Sequence, residues 1–357
     1  MIDIDGSRGE GGGQVLRTAL SMSVLTGSPF IIEKIRAGRK KPGLAPQHLT
    51  CVRAAAEICA AKVTGDELGS QEVTFEPGEI RAGTFQFDVA AEKPSAGSTS
   101  LVLQTTLPPL LFGLGDSEVT IAGGTNVAWS PTLEYIKWVF LPAVEELGQG
   151  HPQLSVERPR AGWYPRGGGV ITAQLSPLAG SQPLRPIRWV ERPTDQPVQV
   201  ISTVSEQLPD HIGPRQINSA RQVLEEVSPK PSLSVSGERI SGWPGTAVLV
   251  CRGFAGYSAL GKRGKPAEQV GAEAAKQFRK FLDSRAAIDE HLADQLLIYL
   301  AIAEGISEFT TPEITQHLRT NAWVIKQFLP VEVEFGKGPS GAPLVRVHGT
   351  SITPQEE

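Results

Sequence analysis

One unit of chain recurs, and its repetition limits the folds open to this sequence more than any other feature. In the first copy the strand-like MIDID leads through a glycine-rich turn into an apolar helix that stops at Gly27. PFIIEKIRAGR then reads as a strand, PGLAPQHLTCVRAAAEICAAKVTG as a helix ending at Gly65, and EVTFEPG and FQFDVA as closing strands about a Pro-Gly turn. Residues 97–148 repeat the order with GSTSLVLQTTLPPLLFG, DSEVTIAGGT and SPTLEYIKWVFLPAVEELG, and VERPRAGWYPRGGGVITAQLS supplies two further strand-like arms. A third copy runs from the helix EHLADQLLIYLAIAEG through the strand region SEFTTPEITQHL and the helix TNAWVIKQFL to the hairpin VEVEFGKGPSGAPLVRVHG. Repetition of one supersecondary unit predicts a pseudo-threefold α/β (α+β) domain in which each sheet packs on its own pair of helices.

The period is interrupted at residues 183–276, where strands, a helix and a basic glycine-rich loop read as a small α/β domain inserted between copies two and three. The expected division is a large discontinuous domain (1–182 and 277–340), the insert (183–276), and a terminal strand with a disordered tail (341–357).

Within copy one, Gly9, Gly11, Gly12 and Gly13 let the backbone approach a ligand with no Cβ in the way. A helix beginning near Gln14 aims its free N–H groups and positive dipole end into that turn, which favours anions. Val15, Leu16, Ala19, Leu20, Ser23 and Val24 recur at helical spacing and define a buried face. Arg17 opposes the dipole from the first turn, which points to placement for a ligand rather than for the helix. The turn lacks the GK[ST] ending of a P-loop, so a plain strand-to-helix turn is the competing reading. Glu10, a carboxylate among those glycines, is useful only if it holds a cation or a hydroxyl.

The 357 residues suffice for a full core and two domains. No apolar run reaches the ~18 residues of a membrane span, and residues 1–25 lack the basic start and small-residue cleavage site of a signal peptide; a cytoplasmic protein with no membrane partner is expected. A net charge of −4 argues against a broad nucleic-acid-coating surface, so any such contact is local. The dense basic cluster is Arg36, Arg39, Lys40 and Lys41, a run whose ordinary meaning is a solvated loop. Cys51, Cys59 and Cys251 have no metal-ligand spacing and read as packed thiols in a reducing compartment. No obligate protein partner is evident.

Equivalent turns of a repeat converge, so ligand groups belong at matching points of the copies. His291, Asp294 and Gln295 share one face at a helix start, whereas Leu292, Leu296 and Leu297 pack inward. Solvation or capping is the plain alternative there; an aspartate so placed also suits a ribose hydroxyl, and an imidazole suits stacking on a base. His317 is expected in a strand-to-helix turn, ahead of a helix capped by Thr320 or Asn321. Histidines in such turns are mostly structural hydrogen-bonders. This one occupies the copy-three position matching the basic loop of copy one, and a nearby helix dipole disfavours the imidazolium, leaving a lone pair for nucleophilic attack.

Four stretches resemble the RNA 3′-terminal phosphate cyclase family, and the likeness spans nearly the whole chain. They are GEGGGQVLRTAL (9–20), IRAGRKKPGLAPQHL (35–49), GWYPRGGGV (162–170), and HLADQL (291–296) together with the HLRTN that begins at His317. The tyrosine-proline pair before three glycines is the most specific. The resemblance implies a large domain of three βαβαββ repeats with helices on one face of each sheet, plus a small inserted α/β domain. It also implies ATP-dependent conversion of an RNA 3′-phosphate end to a 2′,3′-cyclic phosphodiester, with His317 as the nucleophile that becomes histidinyl-AMP. Gln104, Pro131, His291, Leu292, Ala293, Asp294 and Gln295 would then form the nucleotide site, with Asp294 on the ribose. Arg17, Arg36, Arg39 and Gln47 would grip RNA phosphates, since guanidinium forks suit bidentate contact. Glu10 would hold Mg²⁺ or Mn²⁺. His291 departs from the family, some of whose members carry tyrosine against the adenine.

Three rivals remain. A non-cyclising ribosome-biogenesis branch of the same family lacks the nucleophilic histidine, and His317 argues against it. Enolpyruvyl transferases have two large domains of three repeats each, against the three copies seen here. An RNA-end-binding module with an inert site is the third.

Overall fold

The computed structural model describes residues 1–150, 152–178 and 182–353; the last four residues of the expected tail, 354–357, lie outside the described residues. The first unit runs β1 (Ile2–Asp5), α1 (Gln14–Thr26), β2 (Phe30–Glu33), α2 (Pro46–Cys59), β3 (Lys62–Thr64) and β4 (Val73–Glu76). The second begins β5 (Thr84–Asp88), α3 (Thr99–Leu110) and β6 (Ser117–Gly123). A continuous helical stretch follows, made of α4 (Leu133–Tyr135), a π-helical turn over Ile136–Phe140, and α5 (Leu141–Leu147); β7 (Leu154–Arg160) and β8 (Gly169–Leu175) close the unit.

The third unit opens with β9 (Arg188–Trp189) and is then interrupted by β10 (Val198–Ser205), α6 (Ile212–Glu225), β11 (Leu233–Ile240), β12 (Thr246–Arg252), β13 (Ala255–Leu260) and α7 (Ala267–Ser284). It resumes with α8 (Glu290–Gln295), α9 (Leu297–Ile302), β14 (Glu304–Thr310), α10 (Gln316–Phe328), β15 (Glu332–Lys337) and β16 (Pro343–Thr350).

The three sheets have one strand order: β1-β2-β4-β3, β5-β6-β8-β7 and β9-β14-β16-β15. In each, the first pair is parallel and the other pairs are antiparallel. The interruption forms a fourth sheet, β11-β10-β12-β13, under the paired helices α6 and α7. Its apolar residues, among them Val198, Val248, Val270 and Phe278, form a buried cluster apart from the main core.

Helix α1 is the centre of the large core and packs against α2, α3 and α10. Its Leu16, Ala19, Leu20 and Met22 are at most 1% exposed, and Thr18, Ser21 and Ser23 are buried as well. A helix with no solvated face must satisfy its polar side chains on its neighbours. Thr18 Oγ1 donates to Asn321 Oδ1 on α10 at 2.6 Å, and Ser21 Oγ donates to the Thr105 carbonyl on α3 at 2.8 Å. Gly27, left-handed at φ 64°, ends the helix as expected of a glycine C-cap. Cys51, Cys59 and Cys251 are buried and free.

Several expectations need correction. FQFDVA does not close unit one; its residues form β5, which opens unit two parallel to β6, while the closing strand is β3, hidden in the end of the expected helix. Arg188–Trp189 falls in the stretch assigned to the insert, yet it pairs with β14 in the third sheet. Helix α7 continues through 276 to Ser284 and packs on α6. Finally, α10 starts earlier than expected. Its N-cap is Thr315, whose side chain accepts the Leu318 N–H, so His317 lies in the first helical turn and Thr320 and Asn321 are interior.

The basic loop between β2 and α2 is closed by Gly43, whose N–H donates to the Ile35 carbonyl at 2.7 Å. Gly43 has φ +80°, and a Cβ there would come 2.1 Å from the Gly69 carbonyl oxygen, which is backbone and cannot step aside. Gly43→Ala is therefore expected to cost about 3 kcal/mol, from left-handed strain plus overpacking. Urea unfolding of the variant checks this, and a loss within error of zero would contradict the geometry.

Candidate active site

The glycine turn, the basic loop and the starts of α8 and α10 meet around one cavity of about 1010 Å³. Glu10, Arg17, Arg36, Arg39, Gln47, Gln104, Pro131, His291, Asp294, Gln295 and His317 all line it. Leu292 and Ala293 do not. Both are fully buried at 0% exposure and turn their side chains into the core, as the inward face of α8 requires.

His317 is presented by the first turn of α10 and projects toward the glycine turn. Its Nδ1 is hydrogen-bonded to Gln14 Oε1, and its Nε2 lies 3.1 Å from Glu10 Oε2. Burial pushes its pKa below the ordinary 6.5, with Arg17, His291 and Arg39 adding to the depression and Glu10 opposing it. The ring is thus neutral at physiological pH despite the adjacent carboxylate. Acceptor oxygens thus face both ring nitrogens, and the tautomer that gives its proton to Gln14 is the one that leaves a lone pair on Nε2. Glu10 also faces Arg39, 3.6 Å away.

The three arginines are placed differently. Arg36 adopts a left-handed backbone, φ 56°, and spends one N–H on the Gly43 carbonyl at 2.7 Å. Arg39 is half-exposed, and Arg17 sits deep in the wall where Asp294 is its nearby counter-charge. Asp294 faces the cavity from deep in the molecule, and burial raises its pKa from 3.8 to about 7 against the pull of His291 and Arg17. Gln104 Nε2 donates to Gln295 Oε1 at 2.8 Å, joining α3 to α8. Gln47 Oε1 accepts the Ser98 N–H at 2.7 Å, so its amide is anchored at the α3 N-cap and only its NH₂ group is free for a ligand.

Two residues that matter here were not singled out in the sequence. His48 lines the cavity with its Nδ1 buried and without a hydrogen-bond partner among the described residues. Burial, then Arg17, Arg36 and Arg39, hold its pKa well below 6.5. It packs so close to Gly13 that a Cβ there would meet its Nε2 at 1.9 Å, which explains a glycine at that position. A signal existed: Gln-His-Leu occurs at 47–49 and again at 316–318, at the starts of the equivalent helices α2 and α10. His48 is the pseudo-symmetric counterpart of His317.

Asp289 is the second. Fully buried, it caps α8 by accepting the His291 and Leu292 N–H groups at 2.9 and 2.8 Å, and it also accepts from Tyr135 Oη at 2.9 Å and from the Gly256 N–H at 2.9 Å. It thereby fixes the segment carrying His291, Asp294 and Gln295 against β13. His291 stands exposed at the rim, edge-on to Tyr257 with 6.2 Å between ring centroids.

An uncharged imidazole, three guanidinium groups and a helix N-terminus together suit a cavity to phosphoryl groups. A model of the RNA 3′-terminal phosphate cyclase family matches residues 8–335. An RNA 3′-terminal phosphate cyclase of Archaeoglobus fulgidus is 44% identical over 336 residues, covering 94% of this chain and 98% of that protein. The Nostoc punctiforme protein of the same name is 45% identical over 335 residues, covering 92% and 94% respectively. Among solved structures, the enolpyruvyl transferase NikO from Streptomyces tendae is similar at 11% identity and a TM-score of 0.37, over 98% of this chain and 48% of that one. The chain belongs to the RNA 3′-terminal phosphate cyclase family.

The Asp294 carboxyl makes a test of the site's electrostatics. Its folded pKa, about 7, lies above the unfolded 3.8, so its contribution to stability is whole below 3.8 and is lost as pH rises through 7. At 1.36 kcal/mol per pH unit the interval is worth up to about 4 kcal/mol. Asp294→Asn should gain on wild type between about pH 4 and about pH 8; a constant difference in urea unfolding across that range would refute the assignment.

Proposed function

We propose that this protein uses ATP to convert an RNA 3′-phosphate end to a 2′,3′-cyclic phosphodiester through a covalent histidinyl-AMP. The observation that carries the reading is the neutral His317 ring on the wall of an arginine-lined cavity, with Nδ1 on Gln14 and Nε2 turned inward. A phosphate monoester cannot cyclise unaided because oxide is a poor leaving group. Adenylylation replaces that leaving group with AMP.

His317 Nε2 attacks the α-phosphorus of ATP, forming a P–N bond and expelling pyrophosphate. Gln14 keeps hold of the Nδ1 proton and shares the positive charge that develops on the ring. An oxygen of the RNA 3′-phosphate then attacks the same phosphorus, the P–N bond breaks, and the imidazole is restored. The 2′-hydroxyl closes on the 3′-phosphorus, losing its proton and displacing AMP. Asp294 is suited to the ribose hydroxyls of the nucleotide, with Gln104, Pro131, His291 and Gln295 around it. Arg17, Arg36, Arg39 and the free amide of Gln47 hold phosphate oxygens, each charge-assisted bond being worth about 1.5–3 kcal/mol.

The residues present fit a divalent ion of limited kind. Glu10 is the carboxylate at His317, and the three-ligand cluster among the described residues, Glu332, Glu334 and His348, lies elsewhere on β15 and β16. One carboxylate suits Mg²⁺ or Mn²⁺ shared with nucleotide phosphates, where such an ion neutralises pyrophosphate charge. Glu10, if so engaged, would no longer lie against His317 Nε2.

Incubation with α-³²P-ATP should label the protein, and His317→Ala should abolish the label while His291→Ala keeps it. Because His317 titrates below 6.5, labelling should persist as pH falls through that value. An unlabelled wild-type protein would favour the non-cyclising or end-binding alternatives. Arg39→Ala is expected to slow transfer to RNA by about 10- to 100-fold, the worth of one charge-assisted contact, with self-adenylylation much less affected. Equal losses in both steps would place Arg39 on ATP instead.

A further inference from the structure

At the edge of the cavity stands a ring that no packing accounts for. Trp129 lines the cavity mouth yet is 99% exposed, and its backbone is left-handed at φ 67°. A bulky residue held in that region is strained, and an indole in water buries nothing in return. Flexibility does not explain it, because the loop around it is nailed down. Asn126 Nδ2 donates to buried Glu134 at 2.7 Å, Asn126 Oδ1 accepts the Leu133 N–H at 3.2 Å, and Ser130 Oγ donates to the Val127 carbonyl at 3.0 Å. Strain that persists in an over-determined loop is a mark of binding function.

We propose that Trp129 is a stacking platform for a nucleobase of the RNA strand just upstream of its reacting 3′ end. The choice of RNA rests on the cyclase reading. A mononucleotide is contained within a cavity of about 1010 Å³, whereas a polymer must leave it, and the first bases outside meet the rim. Stacking on an aromatic face is the sequence-tolerant way to hold single-stranded bases. A second exposed ring is carried by a neighbouring loop. Tyr164, 80% exposed, lies on the 161–168 loop, which is joined to the Trp129 loop by Thr125 N–H donating to the Gly162 carbonyl at 2.9 Å. Arg166 on that same loop lies over Trp243, 4.0 Å from its ring.

The test is fluorescence anisotropy of a 5′-labelled, 3′-phosphorylated RNA oligonucleotide without ATP. Trp129→Ala should weaken binding about tenfold, Trp129→Phe should restore most of it, and self-adenylylation by either variant should keep the wild-type dependence on ATP. An abasic residue at one of the last three positions should cost the wild type the same factor and cost Trp129→Ala nothing further. Trp129→Gly, which relieves the strained φ, should melt no lower than wild type while binding RNA as poorly as Trp129→Ala. Wild-type affinity in Trp129→Ala, or an abasic penalty that survives it, overturns the proposal. A raised ATP requirement for self-adenylylation overturns it too, by assigning the ring to adenine. Absence of any RNA binding by the wild type would overturn the cyclase reading as well.

Discussion

Burial of α1 on every side is the constraint from which the rest of the large unit follows. A helix with no solvated face can exist only if other elements surround it, and α2, α3 and α10 do so. Each of its buried leucines is worth roughly 1.5–3 kcal/mol out of water. The polar side chains then act as registers: Thr18 on Asn321 and Ser21 on Thr105 fix α10 and α3 along the axis of α1. The glycine turn at its N-terminus is thereby set opposite the start of α10. Glu10 and His317 are 307 positions apart in sequence and 3.1 Å apart in space because one helix is shared by the repeats.

The charges inside the cavity depend on one another in the same way. Three guanidinium groups line one cavity, and burial takes hydration from Arg17 and Arg36, while Asp294 offsets Arg17 and Glu10 faces the half-exposed Arg39. Yet Glu10 is solvated and burial holds the Asp294 pKa up at about 7, so the two acids do not neutralise the site, and the surplus falls on the imidazoles. His48 and His317 are both held uncharged by burial and by the arginines. The same field that would attract phosphate therefore keeps a ring nitrogen available.

What could be read in the sequence was what local chemistry decides. Helix α1, its glycine C-cap and the inward face of α8 follow from spacing alone, because periodicity and capping act over a few residues. The start of α10 did not. Ile314 and Thr315 are β-branched and read as more strand, while Thr320 and Asn321 look like caps; only the Thr315 side chain on the Leu318 N–H decides between them. β9 has two residues, and nothing in Arg-Trp marks a strand until Glu308 and Phe309 lie beside it. Asp289 is recognisable as a cap, but its partners Tyr135 and Gly256 are non-local, so its burial was invisible.

Repetition also explains how a symmetric scaffold carries an asymmetric site. The equivalent helices α2 and α10 each begin with Gln-His-Leu, and both leucines are buried, so the two histidines start from one local geometry. Their surroundings separate them. His48 faces the packed Gly13 and three arginines, with no carboxylate among the groups shifting its pKa, and its Nδ1 is enclosed. His317 meets Gln14 and Glu10 and keeps an open face. The repeated helix start thus supplies two imidazoles, and what lies opposite each ring, the close-packed Gly13 for His48 and Gln14 with Glu10 for His317, decides which one keeps an open face.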